Sequence, residues 1–343
     1  MKAAVFYEKE KLIVEDIPLP EVGAGEVLIR VHACGICGTD MHIFDGAEGA
    51  APTPSGTALG HEFAGEVVAV GDGVHAVNCG DRVCVDPNQL CGLCEPCLGG
   101  VGHYCENMVG IGTTVHGGFA EYVCVPQSQV YRFPDTVSYA RAAMTEPVAC
   151  CLHGIDECNI SAGDTVAVIG GGMIGLIMLQ LAKLRGAAKL ILIEPIAEKR
   201  ELGKKLGADI TIDPIGESTS RVLAENGIKR INTVIECVGK TATMSEAIRI
   251  AGYHSTVMLF GLSAPADQLT VLPFELFKKE ITLKASFINP YTQRRALELI
   301  CSGKLDVESM VYRTIPLSQL PAVLADKKER ARGKFIVDPG AKI

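Results

Sequence analysis

Between Thr165 and Ala182 the chain runs eighteen residues without a formal charge, TVAVIGGGMIGLIMLQLA. A bilayer-spanning helix needs about twenty apolar residues, so length alone would admit one. Gly170, Gly171, Gly172 and Gly175 argue against it, because they divide the run into a strand, a tight turn and a helix. The same rhythm continues downstream. Strands are expected at Thr165–Ile169, Leu190–Glu194, Thr233–Cys237 and Thr256–Phe260, with helices at Met173–Arg185, Glu198–Leu206 and Ala242–Ala251. Strands alternating with helices imply a parallel sheet covered on both faces.

Gly170, Gly172 and Gly175 fit G-x-G-x-x-G. The first would allow the turn off the strand, the second would let backbone approach a pyrophosphate, and the third would let the helix pack close. The helix then opens at Met173 and Ile174 with free N–H groups and the positive end of its dipole toward phosphate. Glu194 stands at the end of the next strand, where an acid takes a ribose hydroxyl and repels a 2′-phosphate. NAD is therefore expected over NADP, although Lys199 and Arg200 lie nearby. Cys237, Val238, Gly261, Leu262 and His153 are further candidate cofactor walls, on strand-end position alone, and core packing would explain each as well. Without this context the glycines would read as a helix-packing cluster.

The rest of the chain differs in texture. Glu26–His32, Glu62–Val70 and Asp81–Val85 are short Val-rich runs between Gly, Pro and Asp turns, the mark of a β-rich domain. An Ala-rich helical run follows near Val137–His153, and the tail offers helices at Gln293–Ser302 and Leu317–Lys327 and a closing strand at Lys334–Val337. We expect a β-rich domain over 1–150, a dinucleotide-binding domain over 151–288 and a return to the first over 289–343. Apolar residues are 48% and charged residues 21%, too much apolar surface for a disordered chain. A net charge of −8, with no basic run interleaved with aromatics, argues against nucleic acid. The charged start MKAAVFYEKEKL is no signal peptide, and Trp is absent, so a cytoplasmic protein without a membrane partner is expected.

Fourteen cysteines without a secretory signal suggest metal rather than disulfides. Cys91, Cys94, Cys97 and Cys105 are spaced C-x2-C-x2-C-x7-C. Four thiolates in a Gly-rich loop can close around one tetrahedral ion. An iron–sulfur cluster is the rival, but the last gap is too long for the ferredoxin run and the following proline is missing. A second set is scattered. Cys37 and His61 suit zinc. Glu62 could be a third ligand or support one, and Glu146 could bind directly or through water. Cys34 also forms C-x2-C with Cys37, a possible redox pair.

The segment Gly35–His42, the Gly60-His61-Glu62 triplet, the four-cysteine loop, Glu146 and the GGGMIG turn together resemble the zinc-dependent medium-chain dehydrogenases, the alcohol, polyol and threonine dehydrogenase superfamily. The resemblance spans essentially the whole chain. It implies an α/β architecture with a GroES-like β-rich catalytic domain and a Rossmann doubly wound domain. It implies two zinc ions per chain, with Cys37, His61, Glu62 and Glu146 around the catalytic one, and a homodimer or homotetramer. Thr39 would contact the substrate oxygen, Asp40 would orient the zinc-binding histidine, and His42 would end a proton relay. Phe44, Phe119, Phe287 and Ile288 are the candidate substrate wall. Sorbitol-type enzymes carry an Arg where Ile288 follows Phe287, so the implied reaction is oxidation of a secondary alcohol or polyol without a defined sugar. L-Threonine and vicinal diols stay open as substrates. Two other readings are a quinone reductase, which would lack the Cys37 and Gly60-His61-Glu62 set, and a non-catalytic dinucleotide-binding protein.

Overall fold

Unbroken apolar strings such as TVAVI and KLILI cannot alternate between core and solvent, so they form strands buried on both faces. In the computed structural model, which describes residues 1–47 and 52–341, they lie at the centre of a six-stranded parallel sheet. The chain divides into two units, Met1–Ala149 with Pro290–Ile343, and Cys150–Asn289.

In the second unit the sheet runs Ile210–Ile212, Lys189–Ile193, Thr165–Ile169, Thr233–Glu236, Thr256–Leu259, Thr282–Ala285. Counted along the chain this is the order 3-2-1-4-5-6 of a doubly wound sheet. The order reverses between Thr165–Ile169 and Thr233–Glu236, which pair in parallel with Ile169 beside Glu236. The turns after both strands therefore leave the sheet at the same end. Helices Met173–Leu184 and Thr241–Ile250 start from those turns. The strand at Ile210–Ile212 has only three residues, and Thr282–Ala285 is an exposed edge. Neither carries a buried run, which is why periodicity did not announce them. No helix among the described residues is long and apolar enough to cross a membrane.

The first unit is built on a seven-stranded sheet in which Glu26–Gly35 is central. It pairs antiparallel with Glu62–Val70 in a register that sets Gly35 opposite Glu62. On its other side Lys334–Asp338 pairs antiparallel, with Ile336 opposite Gly35. Three strand ends from distant stretches therefore meet at Gly35. Val27, Ile29, Val31, Leu59, Phe63 and Phe335 fill the core beneath them. The expected tail helix Leu317–Lys327 is interrupted. Its central part is Leu320–Ala325, and Asp326 then caps a separate turn, Lys327–Arg330, by accepting from Lys328 N and Glu329 N.

Candidate metal centres and dinucleotide turn

Cys37 follows the central strand and stands at the N-terminal cap of the helix Gly38–Phe44. Its backbone N–H donates to Asp40 Oδ2 at 2.8 Å, and Asp40 Oδ1 faces His61 Nδ1 at 3.4 Å. One buried carboxylate thus ties the cysteine's backbone and aims the histidine ring. Ligand atoms of Cys37, His61 and Glu62 lie within 4.8 Å of one another. Thr39 Oγ1 is 3.9 Å from Cys37 Sγ, and His42 is exposed on the same helix. His61 Nδ1, Asp40 Oδ1 and Glu62 Oε1 are buried without a hydrogen-bond partner. His61 Nδ1 and Asp40 Oδ1 answer each other, which leaves Glu62 Oε1 as the buried, unpartnered atom, and a carboxylate oxygen so placed beside Cys37 and His61 fits a cation. Burial pushes the Cys37 thiol up, helped by the charge of Glu62. Burial opposes a charged His61, but Asp40 and Cys37 outweigh it and hold its pKa well above the ordinary value.

Lys334 was not singled out from the sequence. It begins the closing strand, is 3% exposed, and its ammonium donates to Glu62 Oε2 and to Ile36 O at 2.8 Å. A Cβ at Gly35 would collide with Glu62 Oε2 and Lys334 Cε, so only glycine leaves room for this pair. The one available signal was a lysine heading an otherwise apolar strand.

Several expected residues take other places. Glu146 is buried in the first turn of Thr145–Glu157, and the group whose ligand atoms lie within 4.8 Å of one another is Cys37, His61 and Glu62. Phe44 and Phe119 are 4% and 0% exposed and pack into the hydrophobic core. Phe119 instead packs behind Gly60, where a Cβ would meet its ring. The Cys34–Cys37 redox pair also fails. Both thiols are free, and burial, then the charges of Asp40 and Glu62, push Cys34 well above the ordinary range. A protonated buried thiol is a poor nucleophile. Phe287 is 37% exposed and Ile288 adopts φ +45°, an unusual backbone for a β-branched residue.

The four-cysteine loop behaves differently. Cys91, Cys94, Cys97 and Cys105 bring their sulfurs within 4.8 Å of one another, and Cys91 Sγ is 4.0 Å from Cys97 Sγ. A tetrahedron with Zn–S near 2.3 Å has edges of about 3.8 Å. The irons of a cluster would hold four thiolates further apart. The N–H groups of Leu93 and Cys94 point at Cys91 Sγ from 3.5 and 3.4 Å and bring its pKa down to about 6. The loop is prepared for a thiolate before any ion arrives.

In the second unit Gly170 adopts φ +100°, and a Cβ at Gly175 would collide with Gly170 O. The strand-to-helix turn therefore requires glycine at both places. Gly172 caps the helix that begins at Met173 and Ile174. Glu194 is 5% exposed; its carboxylate accepts from Gly171 N at 2.6 Å and from Ile196 N at 2.9 Å. The acid therefore clasps the glycine turn, and its remaining lone pairs stay available to a hydroxyl. Val238 and Leu262 are exposed at neighbouring strand ends, and Val238 lies where a Cβ on Gly170 would reach. Burial, with Glu236 and Cys158 next, raises the Cys237 thiol well above its ordinary value. His153 is occupied with Ile288 O and Ser286 Oγ, each 3.1 Å from Nδ1, so its ring braces the segment after the last strand. Glu236, which sequence reasoning missed, accepts from Val238 N at 2.8 Å, Gly239 N at 3.0 Å and Thr243 Oγ1 at 2.7 Å, holding the Cys237–Gly239 turn.

Residues 23–135 match the alcohol dehydrogenase GroES-like domain, and residues 173–302 match the zinc-binding dehydrogenase domain. The chain belongs to the zinc-dependent medium-chain dehydrogenase family. It is 34% identical over 327 residues to the D-arabitol-phosphate dehydrogenase of Enterococcus avium, covering 93% of this chain and 90% of that protein. A zinc-binding dehydrogenase from Sinorhizobium meliloti 1021, solved bound to NADP, superposes with a TM-score of 0.94 at 38% identity, over 98% of this chain and 99% of that one. An alcohol dehydrogenase from Escherichia coli CFT073, solved with NADH, gives a TM-score of 0.89 at 28% identity, over 98% and 99%. The protein is accordingly an alcohol or polyol oxidoreductase that uses zinc and a nicotinamide cofactor.

Proposed function

We propose that Cys37, His61 and Glu62 hold a catalytic zinc ion, that Cys91, Cys94, Cys97 and Cys105 hold a structural one, and that the enzyme oxidises a polyol or other secondary alcohol with NAD. The convergence of Cys37, His61 and Glu62, with Glu62 Oε1 buried and without a hydrogen-bond partner, carries this reading. The bound zinc supplies Lewis acidity, which lowers the pKa of an alcohol hydroxyl. Asp40 keeps the His61 ring aimed and its tautomer fixed. Thr39 would accept the hydrogen bond of the substrate hydroxyl and give up its own proton as that one arrives, and His42, exposed on the same helix, would be the outer end of the relay that exchanges the proton with water. Glu146 lies outside the converging group and acts through a water. Phe287 and Ile288 remain candidate substrate contacts.

NAD is favoured by the carboxylate of Glu194 at the strand end. Arg200 donates to Glu194 O and Pro195 O at 2.8 and 2.7 Å and faces Asp213 at 3.4 Å, so it is engaged elsewhere than on a 2′-phosphate. A polyol is favoured by likeness to the arabitol-phosphate enzyme. The oligomer is proposed to form through the exposed edge strand Thr282–Ala285 and the preceding helix, whose Phe274 and Phe277 are 68% and 78% exposed. Fourteen cysteines, four of them clustered in one loop with metal-ligand spacing, support a reducing, cytoplasmic setting.

The test is a panel of polyols, polyol phosphates, vicinal diols, simple secondary alcohols and L-threonine with NAD and NADP, read by absorbance of the reduced cofactor, alongside zinc analysis. We expect two zinc ions per chain and turnover of polyols with NAD. One zinc with quinone reduction, or one zinc with binding and no turnover, would replace this reading.

A further inference from the structure

We propose that Lys334 is a positioning residue that competes with the catalytic metal for Glu62, lowering metal affinity and confining Glu62 to a single oxygen toward the metal. This rests on the reading of Cys37, His61 and Glu62 as the metal centre.

Glu62 is fully buried and its two oxygens are treated unequally. Oε2 is taken by the Lys334 ammonium, and Oε1 has no hydrogen-bond partner. Lys334 cannot easily leave, since its ammonium is also held by Ile36 O at 2.8 Å and its side chain fills the space that Gly35 vacates. A divalent ion beside Cys37 and His61 is a second cation acting on the same carboxylate. The two cations repel each other, and both draw on Glu62. Any interaction stronger in the metal-free form than in the bound form weakens binding by linkage. Formal charges agree. The thiolate of Cys37 and the carboxylates of Asp40 and Glu62 sum to −3, which the ion and Lys334 balance. With a neutral residue at 334 the same bound site carries −1 and holds a cation harder.

The experiment uses full-length enzyme with the lobe zinc retained and the second metal removed. Co2+ is titrated in against a chelator, and the visible thiolate and ligand-field bands are followed. Lys334→Met is expected to bind Co2+ about tenfold or more tightly, with a changed band as the freed oxygen joins the ion. Lys334→Arg keeps the charge and should stay within about threefold of wild type. In a Glu62→Gln background the methionine substitution should give a clearly smaller gain, because the carboxylate in dispute is gone and only the repulsion between Lys334 and the ion is relieved. Lys334→Gln, which retains a contact to Ile36 O, should show the same gain where the methionine variant does not fold. A purely structural lysine would lose stability without gaining metal affinity. Equal or weaker binding by the Met and Gln variants, or a gain that is undiminished without the Glu62 carboxylate, overturns the inference. If wild type shows no Cys37-dependent cobalt band, the metal centre falls and this inference with it.

Discussion

The four-cysteine lobe and the Cys37–His61–Glu62 centre both look like metal sites, yet they are built in opposite ways. The lobe draws all four donors from fifteen consecutive residues, Cys91 to Cys105, and backbone N–H groups already point at the Cys91 sulfur. Its four identical thiolates would close the coordination shell and leave no place for a substrate. The other centre draws a thiolate, an imidazole and a carboxylate from a helix cap and the start of a strand, buries His61 and Glu62, and leaves Glu62 Oε1 without a hydrogen-bond partner. A site spread through the core has its position fixed by the fold. With three protein donors rather than four, it would leave a tetrahedral ion one open position, which chemistry requires. A local site can be stable without serving any reaction.

The expected effects that test this contrast begin with Cys37→Ala. Turnover should fall by about 10^3-fold or more, since metal polarisation supplies several kcal/mol. One zinc and a near wild-type unfolding temperature should remain. Phe119→Ala should cost about 3–5 kcal/mol in thermal or denaturant unfolding, as expected for a core aromatic, with no specific change in substrate preference. A shift in preference without loss of stability would return Phe119 to the substrate wall. Cys97→Ala should remove the lobe zinc and destabilise the first unit by on the order of 3 kcal/mol, while the Cys37-dependent metal is still retained. Loss of both metals together would mean the two sites are not independent. Asp40→Asn should weaken metal binding or activity by about 10–100-fold, read by chelator competition and kcat/KM, because the carboxylate that aims His61 is gone.

Much of the frame was legible in the sequence because its signals are local. The strand Thr165–Ile169 and the helix beginning at Met173 fall where apolar period and glycine turn put them. The cysteine lobe was readable for the same reason. What escaped depends on register. Nothing local says that Lys334 will meet Glu62, residues 272 apart, until two strand pairings bring both to Gly35. Nothing in the strand Thr233–Glu236 marks Glu236 as the acid whose carboxylate gathers two N–H groups and a hydroxyl from the turn that follows. Phe44 and Phe119 show the same limit, because the sequence does not say how deeply an aromatic is buried, and both pack into the core.

The most direct measurement is anomalous diffraction at the zinc edge from crystals of the intact enzyme with NAD. Two peaks per chain are expected, one enclosed by Cys91, Cys94, Cys97 and Cys105, the other within about 2.0–2.3 Å of Cys37 Sγ and a nitrogen of His61. A single peak in the lobe, from enzyme that oxidises alcohols at full rate, would contradict the account.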